Sequence, residues 1–213
     1  MIRGVLLSLC LLTFASCMRG PEDAELVKHM VVQTTYDTEQ ITETTNIFNT
    51  YNTYYLRIDT MGYVFNHPEA DTVLIDPIMG GTYEFVSPVV DAVRDQIQLA
   101  GYTWVNENAN PDFAVKVAVL ENFSYYQTIL DGYYSGYYGY YGNYYPIVGT
   151  YYTNTATLVV EIVDVKNYEA NGFKYVVVWR ALIGDLIKTL DLTGKTVEAV
   201  DRAFEQSPYI SKD

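Results

Sequence analysis

Thiols and imidazoles are nearly missing from this 213-residue chain, which has two cysteines, Cys10 and Cys17, and two histidines, His29 and His67. The usual zinc sites and nucleophile–base pairs are poorly served by so few groups, and no metal or cofactor is expected. Cationic side chains are scarce too: 13 Lys and Arg stand against 26 Asp and Glu. Nucleic acid and anionic lipid head groups are poor partners for such a surface. Gly80-Gly81 is too little to make a phosphate loop. No apolar run approaches the ~20 residues that a membrane-spanning helix needs.

What the N-terminus does have is a short apolar run, Val5 to Phe14, preceded by Arg3 and followed by Ala15, Ser16 and Cys17. That is the length and flanking chemistry of a signal peptide. Phe14-Ala15-Ser16-Cys17 resembles the lipobox of bacterial lipoproteins, in which the cysteine takes a diacylglycerol and the new N-terminus an acyl chain. Residues 1–16 are therefore expected to be removed, and Cys17 to anchor the protein to a membrane of the cell envelope, most simply the outer membrane. Cysteine usage agrees, because cleavage removes Cys10 and leaves Cys17 with no second thiol to pair with. The cut takes away only Arg3 among charged residues, so the mature chain has 12 cationic and 26 acidic side chains, a formal charge of 12 − 26 = −14.

Residues 17–30 read as a polar tether, and residues 31–213 as one domain with an insertion at 124–153. A Thr- and Tyr-rich stretch suggests a strand near Phe48 to Ile58, with a short one at Thr72 to Asp76. Ser87 as cap, Pro88 as first helical residue and Val90, Val93, Ile97 and Ala100 at helical spacing predict a helix of about twelve residues that stops at Gly101. A strand starts at Phe113. Two more, Ala156 to Val165 and Phe173 to Gly184, read as an antiparallel hairpin, with Phe173, Tyr175, Val177, Trp179 and Ala181 on one face. A last helix covers about Thr193 to Gln206, with Val197, Val200, Ala203 and Phe204 inward and Pro208 ending it. The element order implies an α+β two-layer domain: one mostly antiparallel sheet with two main helices on one face.

Leu99-Ala100-Gly101-Tyr102, then Asn110-Pro111-Asp112-Phe113-Ala114-Val115, then Val178-Trp179-Arg180, then Ala203-Phe204 with Pro208 beyond, together resemble the lipoprotein domain-of-unknown-function family 4136. The resemblance implies a small α+β domain on a lipid anchor and carries no catalytic residues with it. The long tyrosine-rich insertion departs from the family pattern.

That insertion holds twelve tyrosines between Tyr125 and Tyr152, mostly in pairs spaced by Gly, Ser or Asn. Three readings stay open: an exposed aromatic platform, tyrosines packed on one another and on the sheet, or a self-associating low-complexity run. The candidate binding residues are Tyr133, Tyr134, Tyr137, Tyr138, Tyr140, Tyr141, Tyr144 and Tyr145. The function expected is that of a non-catalytic, lipid-anchored envelope component that binds or assembles with an envelope protein or a polysaccharide. A carbohydrate-active enzyme with paired carboxylates is the alternative, with Asp71 and Asp76 among the acids to consider; a purely structural envelope component is another.

Overall fold

Eight consecutive buried residues in each of two strands set the frame of this molecule, described by a computed structural model for residues 30–42, 44–58, 61–64, 73–75, 83–120, 144–145, 156–186 and 191–212. The strands are β1 (Val32–Tyr36), β2 (Thr53–Leu56), β3 (Met61–Val64), β4 (Val73–Ile75), β5 (Thr103–Trp104), β6 (Phe113–Leu120), β7 (Tyr144–Tyr145), β8 (Thr157–Asp164) and β9 (Tyr175–Ile183). The helices are α1 (Tyr83–Leu99) and α2 (Leu192–Glu205). The strand order is β1-β9-β8-β6-β2-β5; β3 also lies on β6 and pairs with β4, and β7 lies on β9. The long ladders β6–β8, β8–β9 and β1–β9 are antiparallel, whereas β2–β5, β2–β6, β3–β6 and β7–β9 are short parallel pairings. The sheet is thus mixed, and the α+β two-layer architecture holds.

The core lies between the sheet and both helices. Phe113, Val115, Val117 and Val119 of β6, Leu158, Val160 and Ile162 of β8, and Trp179, Ala181 and Ile183 of β9 meet Val86, Val90, Val93 and Ile97 of α1 and Ala199, Val200 and Ala203 of α2. Each fully buried aliphatic side chain contributes about 1.5–3 kcal/mol, which explains why alternating valines and isoleucines select this pairing register.

Three expectations are corrected. α1 starts at Tyr83, so Ser87 and Pro88 lie inside the helix. Pro88 forfeits one backbone hydrogen bond and crowds the preceding turn, at a cost of ~3 kcal/mol, which the burial of Val86, Val89 and Val90 on the same helix offsets. The predicted strand at Phe48–Ile58 begins as a 3-10 turn, Ile47–Thr50, because the Asn46 side chain accepts the Phe48 N–H at 3.0 Å and bends the chain; the strand follows at β2. In β9 the five predicted residues do not share a face. The register of β8 against β9 shifts between Ile162 and Val163, so that Val178, Trp179 and Ala181 all join the core under the helices, whereas buried Tyr175 and Val177 do not. One inserted residue flips every side chain beyond it. Phe173 precedes the strand with φ +58°.

Elsewhere the predicted signals act as read. Gly101, at φ +97°, closes α1: its N–H bonds the Gln98 carbonyl and the Tyr102 N–H bonds that of Ile97, the paired bonds of a Schellman stop. Asp191 caps α2 by accepting the Gly194 N–H at 3.1 Å.

The sheet has two distinct poles. At one, Val32 faces Ile183, Leu120 faces Thr157 and the chain enters at Met30, whose carbonyl accepts from Arg202 of α2 at 3.1 Å. At the other, Phe113 and Val176 face Asp164, and β7 lies beside Tyr175 and Val176. Nine residues of β9 separate the poles by ~30 Å.

Candidate functional site

At the pole opposite Met30, the turn between β8 and β9 is built around Asp164. Its buried carboxylate accepts from the Asn167 backbone N–H at 3.2 Å, from Asn167 Nδ2 at 3.0 Å and from Asn171 Nδ2 at 3.1 Å. Backbone bonds from Asn171 to Asn167 and from Lys174 to Tyr168 close the turn. Asp112 ties this loop to the sheet: its carbonyl accepts the N–H groups of Val165 and Lys166, and its Oδ2 accepts those of Asn52 at 2.6 Å and Thr53 at 3.1 Å. The loop is therefore fixed to two strands, β6 and β2, by one aspartate.

A cleft of about 590 Å³ opens between Asn110-Pro111-Asp112 and this loop. Lys166, Tyr168 and Glu169 line the loop side, with Tyr175 at the start of β9. Tyr168 stacks on Tyr175 with centroids 4.4 Å apart and meets Phe173 edge-on at 5.8 Å. Phe173 is 60% exposed. Lys166 Nζ lies 3.6 Å from Asp112 Oδ1 and donates to the Thr50 carbonyl. Under the cleft, burial raises the Tyr51 phenol far above its ordinary range, and the charge of Asp164 adds to the effect. No hydroxide-like or thiolate nucleophile faces the cleft among the described residues.

A second charged group crosses the middle of the sheet. Lys116, Glu161 and Arg180 stand in one row of β6, β8 and β9 and are only 2%, 1% and 3% exposed. Arg180 Nε donates to Glu161 Oε1 at 2.6 Å. Burial lowers Lys116 to about 8, against the pull of Glu161, and Arg180 lowers it further. The row is closed to solvent, and its Arg180–Glu161 ion pair is buried. The signal for it was in the sequence: one lysine, one glutamate and one arginine, each in the middle of an otherwise apolar strand.

Of the expected site residues, Cys17, Tyr133, Tyr134, Tyr137, Tyr138, Tyr140 and Tyr141 lie outside the described residues, as do His29, His67, Asp71 and Asp76. Tyr144 and Tyr145 form β7, in parallel register with Tyr175 and Val176, which brings the backbone of the tyrosine-rich segment to the edge of the cleft. Sequence reading missed the cleft because its parts come from a motif before β6 and a turn after β8, fifty residues apart. Asn110 in the left-handed region and the Asn171-Gly172-Phe173 turn were its only local marks. Among the described residues no group of His, Cys, Asp and Glu is placed to hold a metal ion.

The family model Domain of unknown function (DUF4136) matches residues 32–209. No curated protein matches the chain. The fold is similar to that of a DUF4136 family protein from Bacteroides thetaiotaomicron, with a TM-score of 0.64 and 22% identity over 87% of this chain and 99% of that one. Fainter likenesses, at 12% identity, are to a PelC dodecamer from Paraburkholderia phytofirmans (TM-score 0.38, 86% of this chain and 99% of that one) and to a PDZ domain protein from Parabacteroides distasonis (0.42, 85% and 36%). The match over residues 32–209 covers most of the 213 residues, and the chain belongs to the DUF4136 family.

Proposed function

We propose that this protein is a non-catalytic lipoprotein of the cell envelope, anchored in the outer membrane through Cys17, whose domain binds or assembles with an envelope protein or a polysaccharide. The observation that carries the reading is the polarity of the sheet. The chain enters at Met30, thirteen residues after Cys17, and Met30 is held against α2 at one pole. The cleft and β7 lie at the other, ~30 Å away along β9. A described chain that starts at one end and an aromatic loop at the other is the layout expected of a presenting module. Of the two carboxylates that line the cleft, Asp112 is engaged with the backbone N–H groups of Asn52 and Thr53 and Glu169 alone is open, which supports a binding role over paired-carboxylate chemistry. The tyrosines from Tyr133 to Tyr145 are included in the proposed binding segment, and Tyr144 and Tyr145 pair with β9 beside the cleft.

Fractionation of cells expressing wild type and Cys17→Ser tests the anchor: the wild type is expected in the outer membrane, the variant released. Crosslinking of the native protein tests the binding role. Recovery of a specific envelope partner or polymer is the expected result, and a Cys17→Ser protein that stays in the membrane contradicts the reading.

A further inference from the structure

The geometry points to the cleft beside Phe173 as a binding site for an uncharged or amine-bearing saccharide, an inference that rests on the reading of the protein as an anchored binding module. Phe173 is a large apolar ring, 60% exposed, on a left-handed backbone at φ +58°. Neither condition is favourable for phenylalanine in isolation. Both are imposed by the turn that Asp164 holds through Asn167 and Asn171, so the ring is displayed in a fixed position. Tyr168 and Tyr175 back it. A rigid aromatic face of this kind covers the C–H face of a sugar ring with little ordering of side chains on binding.

The Phe173 ring meets Tyr168, which lines the cleft, and the polar groups of that cleft fit hydroxyls. Asn110 and Glu169 bring one planar amide and one open planar carboxylate to that cleft, and such groups pair with neighbouring hydroxyls. The 590 Å³ volume falls within the range of small-ligand sites. An amphipathic helix needs a continuous apolar groove. The apolar lining here is limited to Pro111, Val165 and the two tyrosines.

Charge selects among saccharides. Lys166, the cation of the cleft, lies beside Asp112 and donates to the Thr50 carbonyl. Glu169 makes no ion pair with any described residue and is exposed. The chain carries −13. Acidic sugars are repelled, and amines or plain hydroxyls are admitted.

Calorimetric titration of the full mature lipoprotein in detergent with three probes tests this: a hexamer of β-1,4-glucose, a hexamer of β-1,4-glucosamine and a hexamer of galacturonic acid. Binding of at least one of the first two and none of the third is expected. Phe173→Ala is expected to weaken it by about tenfold or more, Phe173→Tyr to retain it, and Glu169→Gln to weaken the amine-bearing probe selectively. Binding of the acidic hexamer, binding indifferent to Phe173→Ala, or no binding at all overturns the inference. If no hexamer binds but a protein crosslink depends on Phe173, the saccharide is wrong and the binding module stands; if neither is seen, both fall.

Discussion

Trp179 donates its indole N–H to the Ser207 hydroxyl at 2.9 Å, and both residues are buried. This bond joins the middle of β9 to the turn after α2, while the Trp179 ring rests on Phe204 at 5.1 Å. The hydroxyl fixes how far α2 sits from the sheet. Trp179→Ala is expected to cost about 3–5 kcal/mol, as for other buried aromatics. Ser207→Ala leaves the indole N–H buried and unpaired, at about 1–3 kcal/mol. Urea titrations measure both, and a Trp179→Ala protein as stable as wild type contradicts the packing.

Asp164 governs the loop beside the cleft. Asp164→Ala removes the acceptors of Asn167 and Asn171, and the amide hydrogens from Asn167 to Lys174 are expected to exchange faster while those of β6 keep their protection. Unchanged exchange in the loop would mean that backbone bonds alone hold it.

Lys116 gives stability a pH dependence of definite sign. Its folded value, about 8, lies below its ordinary 10.5. Between these values the unfolded chain binds more protons, so the contribution of Lys116 grows more favourable as pH rises from 8 to 10.5. Below pH 8 the fold carries the full cost of the buried charge, about 3 kcal/mol at most. Lys116→Met is therefore expected to gain stability relative to wild type at pH 7 and to lose that advantage by pH 10.5. Parallel melting curves for the two proteins across this range would contradict it.

Leu120 and Thr157 are partners in the β6–β8 ladder, so the strands flanking the tyrosine-rich segment are paired up to its root. Replacing Ser124 to Thr153 by a short Gly/Asn turn is expected to preserve the sheet signal in circular dichroism, since loop length changes closure entropy by only about 0.6 kcal/mol per doubling. The loss of β7 from β9 is expected to lower the melting temperature. Crosslinking to the envelope partner is expected to disappear. A shortened protein that fails to fold assigns these tyrosines to the core.

Much of the fold was legible wherever one short-range pattern decided the outcome. Gly101 stops α1, Asp112-Phe113 opens β6, and the β8–β9 hairpin follows from two apolar runs around a polar turn. Long-range terms decided the rest. The start of α1 was hidden because Pro88 mimics a first helical residue while Val86 is drawn into the core. The faces of β9 were hidden because the shift opposite Ile162 and Val163 has no glycine to announce it. β1 was hidden because its five residues, Val-Gln-Thr-Thr-Tyr, become a strand only against Trp179–Ile183. At the candidate site the separate pieces, Asn110-Pro111-Asp112 and the 165–174 turn, could be read, but their meeting depends on the antiparallel register of β6 and β8.

Whether Cys17 is the lipidated first residue is read from mass spectrometry of the N-terminal peptide of the purified native protein. The expected chain begins at Cys17 and carries a diacylglycerol on its sulfur and an acyl chain on its amine. An unmodified cysteine, or a mature chain that begins at any other residue, would contradict it.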